Sequence, residues 1–213
     1  MNYKNSKIIT SFLVLTLMLL SGCGGGAGGL GDDYDSLGRT TGVRITDQIT
    51  LIKNAWALVE KAAFDSAVVE FNRILNDNPN EQQRYEVIAG LGFATAKRDS
   101  ALASLPIFEQ AWEKDNNAKA GYAGALIARG TKEDLEKVIT VLTSIEPRSE
   151  KFLWEPRVET GVTNADLHAM LAYAYFYRGD LSKATIHIDF AKVQNKGNSE
   201  SVNAIARVIE DLF

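Results

Sequence analysis

Thiol and imidazole side chains, the readiest nucleophiles and metal ligands near neutral pH, are few in this chain of 213 residues. There is one cysteine, Cys23, and there are two histidines, His168 and His187. A thiolate can be acylated or act as a nucleophile, and paired imidazoles can share a metal or pass a proton. The helical periodicity set out below places the two histidines on separate helices of one pair, with no third ligand at a matching spacing. His168 also falls where one repeat packs on the next, which suits a structural imidazole. Asp and Glu are scattered along helix faces as solvated charges are. Glu133 and Asp134, following Thr131, read as first-turn helix charges. Gly24, Gly25, Gly26, Gly28, Gly29 and Gly31 are dense enough for a phosphate loop, but no Gly-Lys-Ser or Gly-Lys-Thr follows and no strand precedes them. The expectation is a non-enzymatic chain with no catalytic residue, no metal site and no cofactor.

The chemistry that remains is at Cys23. Lys4 and Lys7 precede a short apolar run from Ile8 to Leu20, which ends in small residues. That is the layout of a secretory leader over residues 1–22, shorter than the roughly 20 apolar residues a spanning helix needs. Leu20-Ser21-Gly22-Cys23 resembles a bacterial lipobox. The resemblance implies cleavage before Cys23, a diacylglyceryl thioether on its sulfur and a third acyl chain on its new amino group. At about 0.8 kcal/mol per buried CH₂, two or more chains hold a protein stably where one does not. Gly24 rather than Asp follows the cysteine, so the family rule points to the periplasmic face of the outer membrane, or to the cell surface if the host has one membrane. The bland reading is a secreted protein with an incidental cysteine.

The elements around that cysteine fit an anchored body. Residues 23–46, rich in glycine and then in Asp32, Asp33 and Asp35, read as a flexible tether. The net charge is −4 at pH 7, and the mature chain is more acidic once Lys4 and Lys7 leave with the leader. Nothing suggests a nucleic-acid surface, and the acyl chains rather than charge must do the anchoring. With its cysteine lipidated, the fold has no disulfide and is held by packing.

From residue 47 to 213 apolar residues recur three and four apart almost throughout. Self-similarity resolves this into four helix pairs. The first helices align on Leu51-x-x-Asn54-Ala55-x-x-Leu58, Tyr85-x-x-Ile88-Ala89-x-x-Gly92, Lys119-x-x-Tyr122-Ala123-x-x-Leu126 and His168-x-x-Leu171-Ala172-x-x-Tyr175. The second helices align on Ala67-x₃-Phe71, Ser104-x₃-Phe108, Leu135-x₃-Ile139 and Ala184-x₃-Ile188. With its period of about 34 residues, this pattern resembles the tetratricopeptide repeat (TPR), over Asp47 to about Lys196. The resemblance implies an all-α, TPR-like α-solenoid of about four pairs. A last helix after Ser199 would cap the array. Two irregularities stand out. Extra residues around Asp99 to Leu105 should separate the helices of the second pair, with Pro106 in the first turn of the next helix. A longer insertion, roughly Arg148 to Thr163, precedes the fourth pair.

In such arrays the first helices line a concave groove. Its positions map onto Trp56, Glu86, Phe93, Asn117, Ile127, Tyr173, Phe176 and Tyr177 among others, with Gly90 and Gly124 leaving room for an incoming backbone. The Lys, Arg and Asn set that clamps a terminal carboxylate in one TPR subclass is absent. An apolar, aromatic groove suits an amphipathic helix or an extended apolar peptide. Equally, these side chains are core, or the insertion folds over them. Phe152 and Trp154, beside Pro156, are either a protruding contact or a plug under the fourth pair. The leading expectation is a non-enzymatic, membrane-anchored scaffold that binds a protein or peptide partner. Lipoproteins of this build resemble pilotins and assembly factors for pili, secretion channels and outer-membrane complexes. The competing expectation is an envelope-maintenance module that binds glycan or a small ligand beside cell-wall enzymes.

Overall fold

The computed structural model describes residues 44–196 and 199–210. Residues 1–43, on which the expected leader, Cys23 and most of the expected tether fall, lie outside the described residues. Every regular element that is described is helical. In order these are α1 (Arg44–Glu60), α2 (Phe64–Asn76), α3 (Glu81–Arg98), α4 (Ala101–Phe108), α5 (Asn116–Arg129), α6 (Lys132–Thr143), a 3₁₀ turn (Val158–Thr160), α7 (Asn164–Arg178), α8 (Leu181–Gln194) and α9 (Glu200–Glu210).

Local chemistry sets the boundaries. Asn80, Thr131 and Thr163 each accept a hydrogen bond from a backbone N–H three residues on, and Gln83, Asp134 and Asp166 reach back to the capping residue's own N–H. Three reciprocal capping boxes thus start α3, α6 and α7. Ser100, Asp115 and Asp180 cap α4, α5 and α8 on one side only. Each such cap contributes about 0.5–2 kcal/mol. Gly130 at φ 71° and Gly179 at φ 87° end α5 and α7 in the left-handed region, where a Cβ would be strained.

Each helix packs on the next, and the odd-numbered helices also pack on one another, α1 on α3, α3 on α5, α5 on α7 and α7 on α9. The burial pattern follows. On α2 the buried residues are Ala67, Val68, Phe71 and Ile74, and on α9 they are Val202, Ile205, Ala206 and Ile209, a single stripe in each case. On α5 every residue from Ala118 to Ile127 is buried, and on α7 every residue from Asn164 to Tyr175. The odd helices form an inner row enclosed from several sides; the even helices lie outside it.

Small residues on the inner row receive aromatic rings from the outer one. Ala55, Ala89, Ala123 and Ala172 are fully buried. Gly90 does not leave room for an incoming backbone: a Cβ there would lie 2.2 Å from Cζ of Phe71 on α2. The Phe108 ring is held between two helices. A Cβ on Gly92 of α3 would lie 2.4 Å from it, and a Cβ on Gly121 of α5 would lie 2.2 Å from it.

The second pair departs from the sequence expectation. The extra residues do not form a spacer, because only Asp99 and Ser100 separate α3 from α4. The Ser100 cap starts α4 early, so Pro106 falls inside the helix rather than in its first turn. Lacking an N–H, Pro106 cannot close its bond to the preceding turn, and α4 ends at Phe108. Turns lead on to Asp115. There Trp112 stacks on Tyr122 of α5 at 5.9 Å, and the Lys137 ammonium from α6 lies 4.2 Å from the Trp112 centroid.

Gly121→Ala should therefore destabilise the protein. Alanine gains about 1 kcal/mol of helix propensity over glycine, but overpacking against a trapped ring costs roughly 1–3 kcal/mol. The urea midpoint should fall. A midpoint that holds or rises would mean that the Phe108 ring can move aside.

Candidate partner-binding face and its internal strap

The face of the inner row is not open. The segment between α6 and α7 runs back across it as an extended strap. Phe152 begins the strap, stacked on His168 of α7 with centroids 4.3 Å apart, and is 1% exposed. It is a plug and not a protruding contact. Its carbonyl accepts from His168 Nε2 at 2.9 Å and from Asn164 Nδ2 at 3.1 Å, and the same amide donates to the Trp154 carbonyl at 3.1 Å. Further along, the backbone N–H of Arg157 donates to Asn117 Oδ1 on α5 at 2.9 Å. The Arg157 guanidinium donates to Glu86 of α3 at 2.7 Å and to Glu159 at 2.9 Å. Its central carbon lies 4.7 Å from the ring centroid of Trp56 on α1. The 3₁₀ turn then packs against α1, and Gly161 at φ 71° returns the chain to the Thr163 cap.

An extended segment has backbone polar groups with no helical partner, and burial obliges other groups to supply them. Side chains of α5 and α7 do so. Charges beneath the strap are displaced from their ordinary behaviour. Burial pushes the Glu86 carboxyl up despite Arg157 beside it. Burial likewise pushes Asp115 up, against the backbone N–H groups of Ala118 and Asn117 and the charge of Arg157. Lys97 is pushed down by burial. It rims a cavity of about 20 Å³ that is also lined by Phe93, Phe108, Gly124 and Met170, room for one water at most.

The two histidines form a buried pair. His168 uses Nε2 on the Phe152 carbonyl, so its Nδ1 is the acceptor, and His187 Nδ1, 3.0 Å away, must carry the proton. Tyr175 lies parallel to the His187 ring, and Phe190 meets His168 edge-on. Burial pushes both imidazoles down, His187 to about 4 with His168 as the next cause. Both are therefore neutral near neutral pH. Among the described residues no group of three His, Cys, Asp or Glu side chains could hold a metal ion. No described helix is long and apolar enough to cross a membrane.

The aromatic residues read from the sequence fall into two groups. Trp56 and Phe93, with ring centroids 6.3 Å apart, continue a column with Phe71 and Phe108. Trp56 is 0% exposed and Phe93 4%. Tyr173, also 4% exposed, meets Tyr177 at 4.6 Å, and Phe176 meets Tyr177 edge-on at 5.4 Å. Burial pushes the Tyr173 hydroxyl up. Ile127, on α5 between the groups, is fully buried. In this conformation Trp56 and Ile127 pack and offer no surface to a partner. Phe176, Tyr177 and Trp154 are half-buried against the core. The strap's outward side chains Leu153 and Val158 are exposed at 64% and 82%. Arg157 and Asp115 were not among the residues singled out from the sequence. Arg157 sits in an insertion without periodicity, and Asp115 lies just before α5, where it caps the helix.

No family model matches the chain, and neither a curated protein nor a solved structure is found similar to it.

The histidine pair makes stability depend on acidity in a definite direction. The unfolded chain protonates near the ordinary 6.5, while folded His187 waits until about 4. In that window the unfolded state binds the proton that the folded state refuses, so stability falls as pH falls from about 6.5 toward 4. The slope from one such group approaches about 1.4 kcal/mol per pH unit. Urea unfolding of wild type and His187→Asn across this range should show a shallower acid loss in the variant, whose amide still donates a hydrogen bond. Parallel curves would mean that the pair titrates alike folded and unfolded.

Proposed function

We propose that this chain is a lipid-anchored adaptor of the bacterial envelope whose stacked helix pairs, a TPR-like solenoid, hold a protein partner. The observation that carries this reading is the treatment of the strap. Residues of four inner-row helices hold an extended polypeptide through its carbonyls, one N–H and one guanidinium. A face with that chemistry is built for polypeptide. Inner helices that pack on one another, with outer helices only on their neighbours, are what a stack curving toward the inner row requires.

On this reading Cys23 carries the acyl chains and the glycine-rich tether that follows it spaces the body from the bilayer. The partner meets the adaptor at a local concentration set by the length of that tether rather than by new contacts. Gly24 after the cysteine favours the periplasmic face of the outer membrane. The resemblance to assembly lipoproteins favours a role in building an outer-membrane, pilus or secretion complex. The function needs no catalytic group, cofactor or nucleic acid.

Two measurements test this. Wild type should sediment with membranes and Cys23→Ser should not; a Cys23→Ser protein that stays with the membrane removes the anchor from the proposal. A photo-crosslinking amino acid at Leu153 or Val158 should give a discrete protein adduct in cells, while the same probe at Val69 on α2, itself 67% exposed, should not. Equal labelling from all three positions would mean that the strap side of the molecule is not the partner face.

A further inference from the structure

The strap's arginine occupies a socket of a particular kind. Its floor is the Trp56 ring, 4.7 Å from the guanidinium carbon. One wall is the Glu86 carboxylate at 2.7 Å, and the Asp115 carboxylate adds negative charge close enough to feel Arg157. Asn117 fixes the adjoining backbone N–H. An aromatic face, a facing carboxylate and a backbone acceptor are what recognises an arginine within an extended peptide. The occupant does not use this socket fully. Arg157 Nε is buried without a hydrogen-bond partner, and so is Trp56 Nε1 in the floor. Buried polar atoms without a partner are uncommon in folded proteins, and Asn164 Oδ1 at the strap's other end is a third. Away from the socket, the strap keeps separate attachments at Phe152, His168 and Asn164, so release of the Arg157 side chain would leave the strap held there.

We propose that the Trp56–Glu86–Asn117 socket is a recognition site for an arginine-bearing extended peptide of the partner, and that Arg157 is its resident, displaceable occupant. This rests on the partner-binding reading above and gives that partner a chemistry. The strap then acts as a competitor in the same molecule. Tethered in place, it presents its arginine at an effective concentration in the millimolar range, so only a peptide that binds more tightly, or one delivered at the membrane, takes the site.

The test uses purified full-length protein and a fluorescein-labelled peptide Leu-Trp-Glu-Pro-Arg-Val-Glu, the strap's own sequence over residues 153–159, followed by anisotropy. Arg157→Ala should bind it at least about tenfold more tightly than wild type. Replacing the peptide's arginine by citrulline, which keeps the shape and loses the charge, should abolish binding, and so should Glu86→Gln in the Arg157→Ala background. Helicity by circular dichroism checks each variant. If Arg157→Ala does not fold, Arg157→Lys serves, since it keeps the charge and loses the fork. The proposal is overturned if a helical Arg157 variant binds no better than wild type, or if the arginine and citrulline peptides bind alike. Arginine amide competing as well as the peptide would overturn the peptide assignment and leave a small-cation site. Failure here with crosslinks still formed from Leu153 would sink the socket alone. Peptide capture without any cellular adduct would sink the adaptor reading instead.

Discussion

The fit of aromatic rings on the outer helices into backbone left bare by glycine on the inner ones is the constraint on which this architecture rests. Phe71 against Gly90, and Phe108 between Gly92 and Gly121, leave less space than one methyl group. Small residues seated this close to a neighbouring helix are buried, and α5 is buried from Ala118 to Ile127. Dense packing of this sort tolerates few alternatives in register. It also does without covalent help, since the chain has one cysteine and therefore no internal disulfide.

Closing the inner row creates a second demand. A face assembled from helices has satisfied its own backbone, so whatever lies across it must bring polar groups that the helices' side chains can meet. The strap meets that demand at its first end through Phe152, whose carbonyl takes two donors while its ring stacks on one of the donating side chains. His168 is committed to that bond by His187 behind it. At its other end the strap relies on charge and an aromatic face; Arg157 Nε and Trp56 Nε1 lack hydrogen-bond partners there, as Asn164 Oδ1 does at the first end. One end is built as core and the other as a contact.

Much of the helical layout was legible because its signals are local. All eight aligned segments fall within helices, and Gly179 and Asp180 end α7 and cap α8 as their types suggest. Glu86 and Asn117 could be placed on the groove-facing side from their repeat positions. What they face could not, because Arg157 lies 71 and 40 residues away from them in a segment with no period. Pro106 misled because proline alone does not say which turn of a helix it will occupy; the Ser100 cap decided that. Gly90 misled for a related reason. Its missing side chain signals a close approach, and only the fold shows that the visitor is Phe71 from the neighbouring helix.

The long sequence separation across the strap also orders events in time. Neighbouring helices meet through contacts that close short loops, and such contacts form early. The Arg157 end has nowhere to dock until α1, α3 and α5 already stand side by side, which predicts that it docks after them. The same reasoning predicts that it opens ahead of those helices when the native state fluctuates, at a cost below that of global unfolding. Amide exchange along this stretch would therefore run ahead of the helices beneath it, with the native stack still intact.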